Sequence, residues 1–202
     1  MHISTDDHII AKIRDSKSKK FFFVDDFITI ANYKAVNKAL ERLVERGVLT
    51  RVAQGIYARP KIDPLLGEML PTAEQIAEAI AKRDKARIIP TGAYALHMLG
   101  LSTQIPMNVV YLTDGSARKI KVGNRTIVFK KTSPKNLAVK GKISSLVIQA
   151  LKTIGKDKYS DEDLEIILRI LKKEDTKILE SDIALAPEWI RKIMKLALTK
   201  AS

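Results

Sequence analysis

The chain has 202 residues, no cysteine, 46% hydrophobic residues and a formal net charge of +13. That length allows one substantial core or two small ones, and the apolar share is ordinary for a folded protein. Disulfides, cysteine-type zinc sites and thiol nucleophiles are excluded, and no stretch approaches the roughly 18–20 apolar residues of a membrane span. The opening MHISTDDHIIAKIRDS has early acids and no apolar run long enough for a signal peptide, so a cytoplasmic protein is expected.

Taken in order, residues 3–15 predict a helix with Ile3, Ile9, Ile10 and Ile13 on its packing face, followed by the polar connection Ser16–Lys20. His2 and His8 have no partners at metal-site spacing. The stretch FFFVDDFITIANYKAVNKALERLVERGVLTRVAQGIYARP then reads as a strand, a short helix, a tight turn, a longer helix and a hairpin. Asp25 and Asp26 are expected N-cap residues of the short helix through Phe27, Ile28 and Ile30, and Asn32 caps a helix from Tyr33 to Arg46. Val36, Ala39, Leu40, Leu43 and Val44 recur at three- and four-residue spacing and so share one face of that second helix. Lys34, Lys38, Glu41, Arg42 and Glu45 take the other face, with Asn37 at its border. Gly47 fits the helix end, and residues 48–52 and 56–59 predict a hairpin turning at Ala53-Gln54-Gly55.

That order of elements is a winged helix-turn-helix over residues 1–62, a module whose second helix enters a DNA major groove. The expected groove contacts are Asn32, Tyr33, Lys34, Asn37 and Lys38, supported by Arg42, with Arg51, Gln54 and Arg59 as wing contacts to phosphate or minor groove. Asn37 has two options, a bidentate contact to adenine or a bond to its own backbone. A solvated basic helix face is the bland alternative, and two glutamates on it weaken the electrostatic case. The cations nevertheless fall in the N-terminal half, which usually reaches base edges.

Residues 61–71, KIDPLLGEMLP, read as a boundary, after which residues 63–202 form a second domain. TAEQ at Thr72 is a capping-box pattern for a helix to about Lys82. Residues 87–90 predict a strand, and Thr91 is the expected cap of GAYALHML. His97, with no second ligand type nearby, reads as a packed or surface histidine. Residues 108–113, 117–121 and 125–131 predict a three-stranded meander with a Gly123-Asn124 turn. Helices are expected at 143–154, from Ser160-Asp161-Glu162-Asp163 through Leu171, and from Pro187 toward Lys200. The whole is therefore α+β: an N-terminal winged helix and a C-terminal α/β domain with a small antiparallel sheet and a helical tail.

Residues 115–142 carry nine Lys/Arg and no Asp/Glu. Arg118, Lys119, Lys121, Arg125, Lys130 and Lys131 are therefore expected to form a secondary basic surface, lengthening a DNA footprint or receiving an acidic partner. The bland alternative is a sheet with a lysine-decorated solvent face.

RGVLTRVAQGIYARP followed by PTGAYALHMLGLSTQIPMNVVYLTDGSARKI resembles the AbiEi family of bacterial antitoxin-regulators. The resemblance rests on Gly55–Tyr57 closing the wing and on Ala95-Leu96 with Gly100-Leu101 ahead of the strands, and it covers residues 20 to 131. It implies a DNA-binding winged helix that recognises operator repeats upstream of its own operon. It also implies an antitoxin-type C-terminal domain and a co-encoded toxin resembling a nucleotidyltransferase.

Catalysis is not expected. Asp114-Gly115-Ser116 superficially matches the Gly-Ser turn of nucleotidyltransferases, whose chemistry needs closely spaced carboxylates holding magnesium. No carboxylate occurs between Asp114 and Asp157, and Asp161 with Asp163 sit where helix capping explains them. No cofactor or metal is expected. A further alternative is a module that uses the same helix and basic hairpin to bind an acidic protein.

Overall fold

The computed structural model describes residues 4–199. Helix α1 (Thr5–Asp15) is opened by a closed capping box: Ser4 Oγ accepts from the Asp7 N–H at 3.2 Å, and Asp7 Oδ2 accepts from the Ser4 N–H at 3.2 Å. Ile9 and Ile13 are buried, while His2 and Ile3 lie outside the described residues.

Strand β1 (Phe21–Phe23) leads into one 3₁₀ turn, Val24–Phe27, in place of the longer helix expected through Ile30. Val24 and Phe27 are both buried, and the three-residue period of a 3₁₀ turn stacks them over one another. Asp26 acts from inside the turn, accepting from the Phe23 N–H at 2.8 Å and from Lys19 Nζ at 2.6 Å. Helix α2 (Tyr33–Glu45) begins where Asn32 Oδ1 accepts from the Ala35 N–H at 3.0 Å. It ends before Gly47, whose φ of +68° a side chain would resist. Val36, Ala39, Leu40 and Leu43 are fully buried, each contributing on the order of 1–3 kcal/mol.

Strands β2 (Thr50–Ala53) and β3 (Ile56–Ala58) complete an antiparallel sheet of order β1-β3-β2, with a register shift between Arg51 and Ala53. The stretch read as a boundary loop is itself a small hairpin, β4 (Ile62–Asp63) against β5 (Gly67–Glu68). Asp63 Oδ1 accepts from the Leu65 and Leu66 N–H groups at 2.9 and 3.0 Å and fixes its tip.

The remaining elements are α3 (Ala73–Asp84), β6 (Ile88–Thr91), α4 (Ala93–Met98), β7 (Asn108–Thr113), β8 (Arg118–Val122) and β9 (Arg125–Lys131). They are followed by α5 (Lys142–Ile154), α6 (Asp161–Leu171), α7 (Thr176–Ile183) and α8 (Glu188–Leu196). Thr91 does not cap α4: it ends β6 and bonds Gln149 at 3.0 Å, leaving Gly92 at the cap with φ +65°. Pro187 is the N-cap of α8, not its first helical residue.

The larger sheet has the order β6-β7-β9-β8 and is mixed, so the expected meander is replaced by a different topology. β6 runs antiparallel to β7, but β9 runs parallel to it, pairing Val109 with Ile127 and Tyr111 with Phe129. Burial explains the choice. Ile127 and Phe129 bring apolar side chains to an interior place, whereas Lys119 and Lys121 suit β8 to an edge. Tyr111 packs edge-on against Tyr94 and stacks on Phe129, with centroids 5.7 and 5.9 Å apart. The architecture is α+β. Two compact units make it up, the first running to Ala79 and including residues 120–124, the second comprising Ile80–Lys119 and the chain from Arg125 onward.

The helical core of the second unit gathers Val147, Leu151, Ile167, Leu171, Ile183, Ile190 and Met194. α5 has no side-chain cap from its own N-cap residue, Gly141. Distant carboxylates do that work: Asp182 accepts from the Lys140 and Gly141 N–H groups at 2.9 and 2.7 Å. Glu174 accepts from those of Ile143 and Ser144 at 2.8 and 3.0 Å.

Candidate nucleic-acid interface

Burial of Val36, Ala39, Leu40 and Leu43 fixes the rotation of α2 and decides which side chains it offers to solvent. Two stripes result. Tyr33, Asn37 and Glu41 follow one another at four-residue spacing, as do Lys34, Lys38 and Arg42 beside them. Lys34 and Lys38 are exposed and have no ion-pair or hydrogen-bond partner among the described residues. Tyr33 is 62% exposed.

The rest of the expected reading head is more committed. Asn32 spends its side-chain oxygen on the α2 cap, and Asn37 Nδ2 donates to the Tyr33 carbonyl at 2.8 Å, the backbone option of its two. Arg42 forks onto Asp6 of α1, with Nη2 2.6 Å from Oδ1 and Nε 3.1 Å from Oδ2. Arg46 adds a third cationic contact to that carboxylate at 3.6 Å. The Arg42 hydrogen bonds outweigh burial and hold the Asp6 carboxyl below its ordinary range, while the same pairing raises Arg42.

In the hairpin, Arg51 and Gln54 are exposed, and Arg51 lies opposite Tyr57 across the β2–β3 ladder. Burial pushes the Tyr57 phenol up; Arg51 opposes that shift, and Glu41 and Tyr33 add to it. Arg51, Glu41 and Tyr33 therefore each sit within electrostatic reach of Tyr57. Arg59 turns the other way. It donates to the carbonyls of Ile13, Ser16 and Lys19 and stacks over Phe22 at 5.4 Å, closing the C-terminal end of α1. Lys34, Lys38, Tyr33, Arg51 and Gln54 thus remain as the open side chains of this face.

The second basic stretch divides in the same way. Lys119 and Lys121 project from alternate positions of β8 and are exposed, as are Lys130 and Lys131 in β9, and Arg125 is half-buried. Arg118 lies over the Phe129 ring at 5.5 Å and is ion-paired with Asp84. Burial works to raise Asp84, but hydrogen bonds from Arg83 and Arg118 overcome it and leave that carboxyl below its ordinary value. Arg118 is consequently an internal strut.

Asp114 receives the Arg87 N–H at 2.7 Å and its Nε at 2.9 Å, which together hold its carboxyl low. Asp163 closes a capping box with Ser160. Among the described residues no group of three or more His, Asp or Glu is placed to hold a metal, and no helix is long and apolar enough to cross a membrane.

Sequence reasoning missed Asp6 and Arg46 as partners in this site, and Tyr57 as the cross-strand neighbour of Arg51. Asp6 and Arg42 are 36 residues apart, and only the tertiary packing of α1 on α2 joins them. Tyr57 is paired directly with Arg51 across the ladder, in a strand buried along its whole length.

None of the curated proteins compared with the chain matches it. Among solved structures, the crystal structure of the RV2827C protein from Mycobacterium tuberculosis is similar over 99% of this chain and 84% of that one, with 13% identity and a TM-score of 0.45. The model of DUF6088, a family of unknown function, matches residues 8–179, and the chain belongs to that family.

Proposed function

We propose that the protein is a sequence-specific DNA-binding regulator, with residues 1–62 acting as a winged helix-turn-helix. In this reading α2 is the recognition helix and the β2–β3 hairpin is the wing. One observation carries it: Lys34 and Lys38 stand one turn apart on the exposed N-terminal half of α2, with no acidic partner among the described residues. Cations so placed suit guanine edges and phosphates. Arg51 and Gln54 extend the contact, while Arg42 and Arg59 serve to brace the domain.

Regulation follows from position: a protein seated on its own promoter excludes polymerase. The resemblance to AbiEi antitoxin-regulators supports autorepression, with operator repeats as the DNA target and a nucleotidyltransferase-like toxin as partner of residues 63–202. We assign the chain no catalytic role: Asp114 is engaged by Arg87 and Asp163 by the cap of α6.

The test is binding of the purified protein to the DNA upstream of its own gene against a scrambled duplex, across a salt series. Preference for the upstream DNA that falls by roughly 10- to 100-fold in the Lys34→Ala/Lys38→Ala variant is expected. The salt slope should fall by about one for each lysine that neutralises a phosphate. Equal, steeply salt-dependent binding to both duplexes sinks the regulator reading and favours the alternative, an acidic protein held by Lys119, Lys130 and Lys131.

A further inference from the structure

The exposed face of α2 is not purely charged. Tyr33, its first residue, is 62% exposed, and Ile28, just before the turn that leads into α2, is 53% exposed. Both bracket a segment where Ile30 and Ala31 pack on the core and where Asn32 is held as the cap. The Tyr33 ring, next to Lys34 in the chain, and the Ile28 side chain gain nothing from phosphate oxygens, which only the Tyr33 hydroxyl can bond. They gain from a partner that is polyanionic and also carries an apolar group.

In a major groove the one apolar group is the thymine C5-methyl. We propose that Tyr33 and Ile28 read thymine methyls, so that the protein selects sites in which thymines lie beside the guanines that Lys34 and Lys38 approach. This rests on the DNA-binding reading and deepens it, since it assigns the apolar part of the readout. Asn37 donates one of its two amide hydrogens to the Tyr33 carbonyl at 2.8 Å. The same bond steadies the first turn from which the Tyr33 ring projects. Tyr57 on the hairpin stands within electrostatic reach of Tyr33.

The experiment uses the full chain and three duplexes: the DNA upstream of its own gene, the same duplex with every thymine replaced by deoxyuridine, and a scrambled thymine-containing duplex. Wild-type protein should prefer the first over the third. It should lose about fourfold in affinity on the deoxyuridine duplex for each methyl it buries. Tyr33→Ala should keep part of the preference for the natural sequence and lose most of the penalty for deoxyuridine, and Ile28→Ala should lose a smaller part. Because both positions are exposed, the variants keep the wild-type melting temperature to within a few degrees.

Comparing protein variants removes any effect of deoxyuridine on the duplex itself. A deoxyuridine penalty equal in wild type, Tyr33→Ala and Ile28→Ala, or no penalty at all alongside clear sequence preference, overturns the methyl readout and leaves the regulator standing. No preference between the natural and scrambled duplexes overturns both.

Discussion

Arg42 reaches from the outer face of α2 to both carboxylate oxygens of Asp6 on α1, at 2.6 and 3.1 Å. This fork fastens the first helix to the one proposed to enter DNA, and it removes a positive charge from the reading face. Both groups are shifted toward their charged forms, Asp6 downward and Arg42 upward. A carboxyl lowered on folding adds stability that is complete above its unfolded value near 4 and disappears as the pH falls through its folded value. Wild-type protein should therefore lose stability on acidification from about pH 5 to about pH 2, and Asp6→Asn should lose less over the same window. Other lowered aspartates, including Asp84 and Asp114, remain in both proteins, so the informative quantity is the difference between their urea midpoints at each pH. Parallel midpoint curves would mean that Asp6 is not linked to folding.

Arg59 separates structural from DNA-contacting cations. Its guanidinium donates to three carbonyls, those of Ile13 and Ser16 at the end of α1 and that of Lys19 in the connection beyond it. Arg59→Ala leaves those acceptors to whatever water can reach, and a loss of about 1–3 kcal/mol in unfolding free energy is expected. Lys34→Ala and Lys38→Ala, at exposed positions without partners, should change stability by less than about 0.5 kcal/mol. Chemical denaturation of the three variants tests this ordering, which disappears if Arg59 is instead a surface cation.

What the sequence disclosed was local. The Ser160–Asp163 and Thr72–Gln75 capping boxes, the Asn32 cap and the buried stripe of α2 all depend on residues three or four apart, and periodicity exposes them. What it concealed was long-range or decided by competition between strands. β9 takes the place beside β7 because Ile127 and Phe129 bury better than the lysines of β8, a comparison that no single strand pattern contains. Helix α7 went unread because its start depends on the Asp175 side chain accepting from the Ile178 N–H in a polar stretch without a clear apolar run. At the candidate interface, exposure of Lys34 and Lys38 was legible. The retirement of Arg42, Arg59 and Arg118 to internal contacts was not, because each partner lies tens of residues away. The β4–β5 hairpin was hidden for another reason. Its tip leaves Leu65 94% and Leu66 74% exposed, against the pattern by which apolar residues mark a core.

Gly141 gives the sharpest stability prediction. A Cβ there would collide with the Glu174 carboxylate and stand 2.8 Å from Asp182 Oδ2, the two groups that cap α5 from a distance. Asp182 is fully buried and holds two backbone N–H groups, so it has little room to retreat. Glu174 is half-buried and can swing outward, but only by releasing the Ile143 and Ser144 N–H groups. Gly141→Ala should therefore destabilise the protein by about 1–3 kcal/mol. Glu174→Ala alone should cost about 1 kcal/mol through the lost helix cap. The double variant separates collision with Glu174 from collision with Asp182. With the Glu174 carboxylate gone, much of the clash is relieved, and the two costs should combine to less than their sum. Additive costs in urea unfolding would show instead that the clash with Asp182 alone sets the penalty.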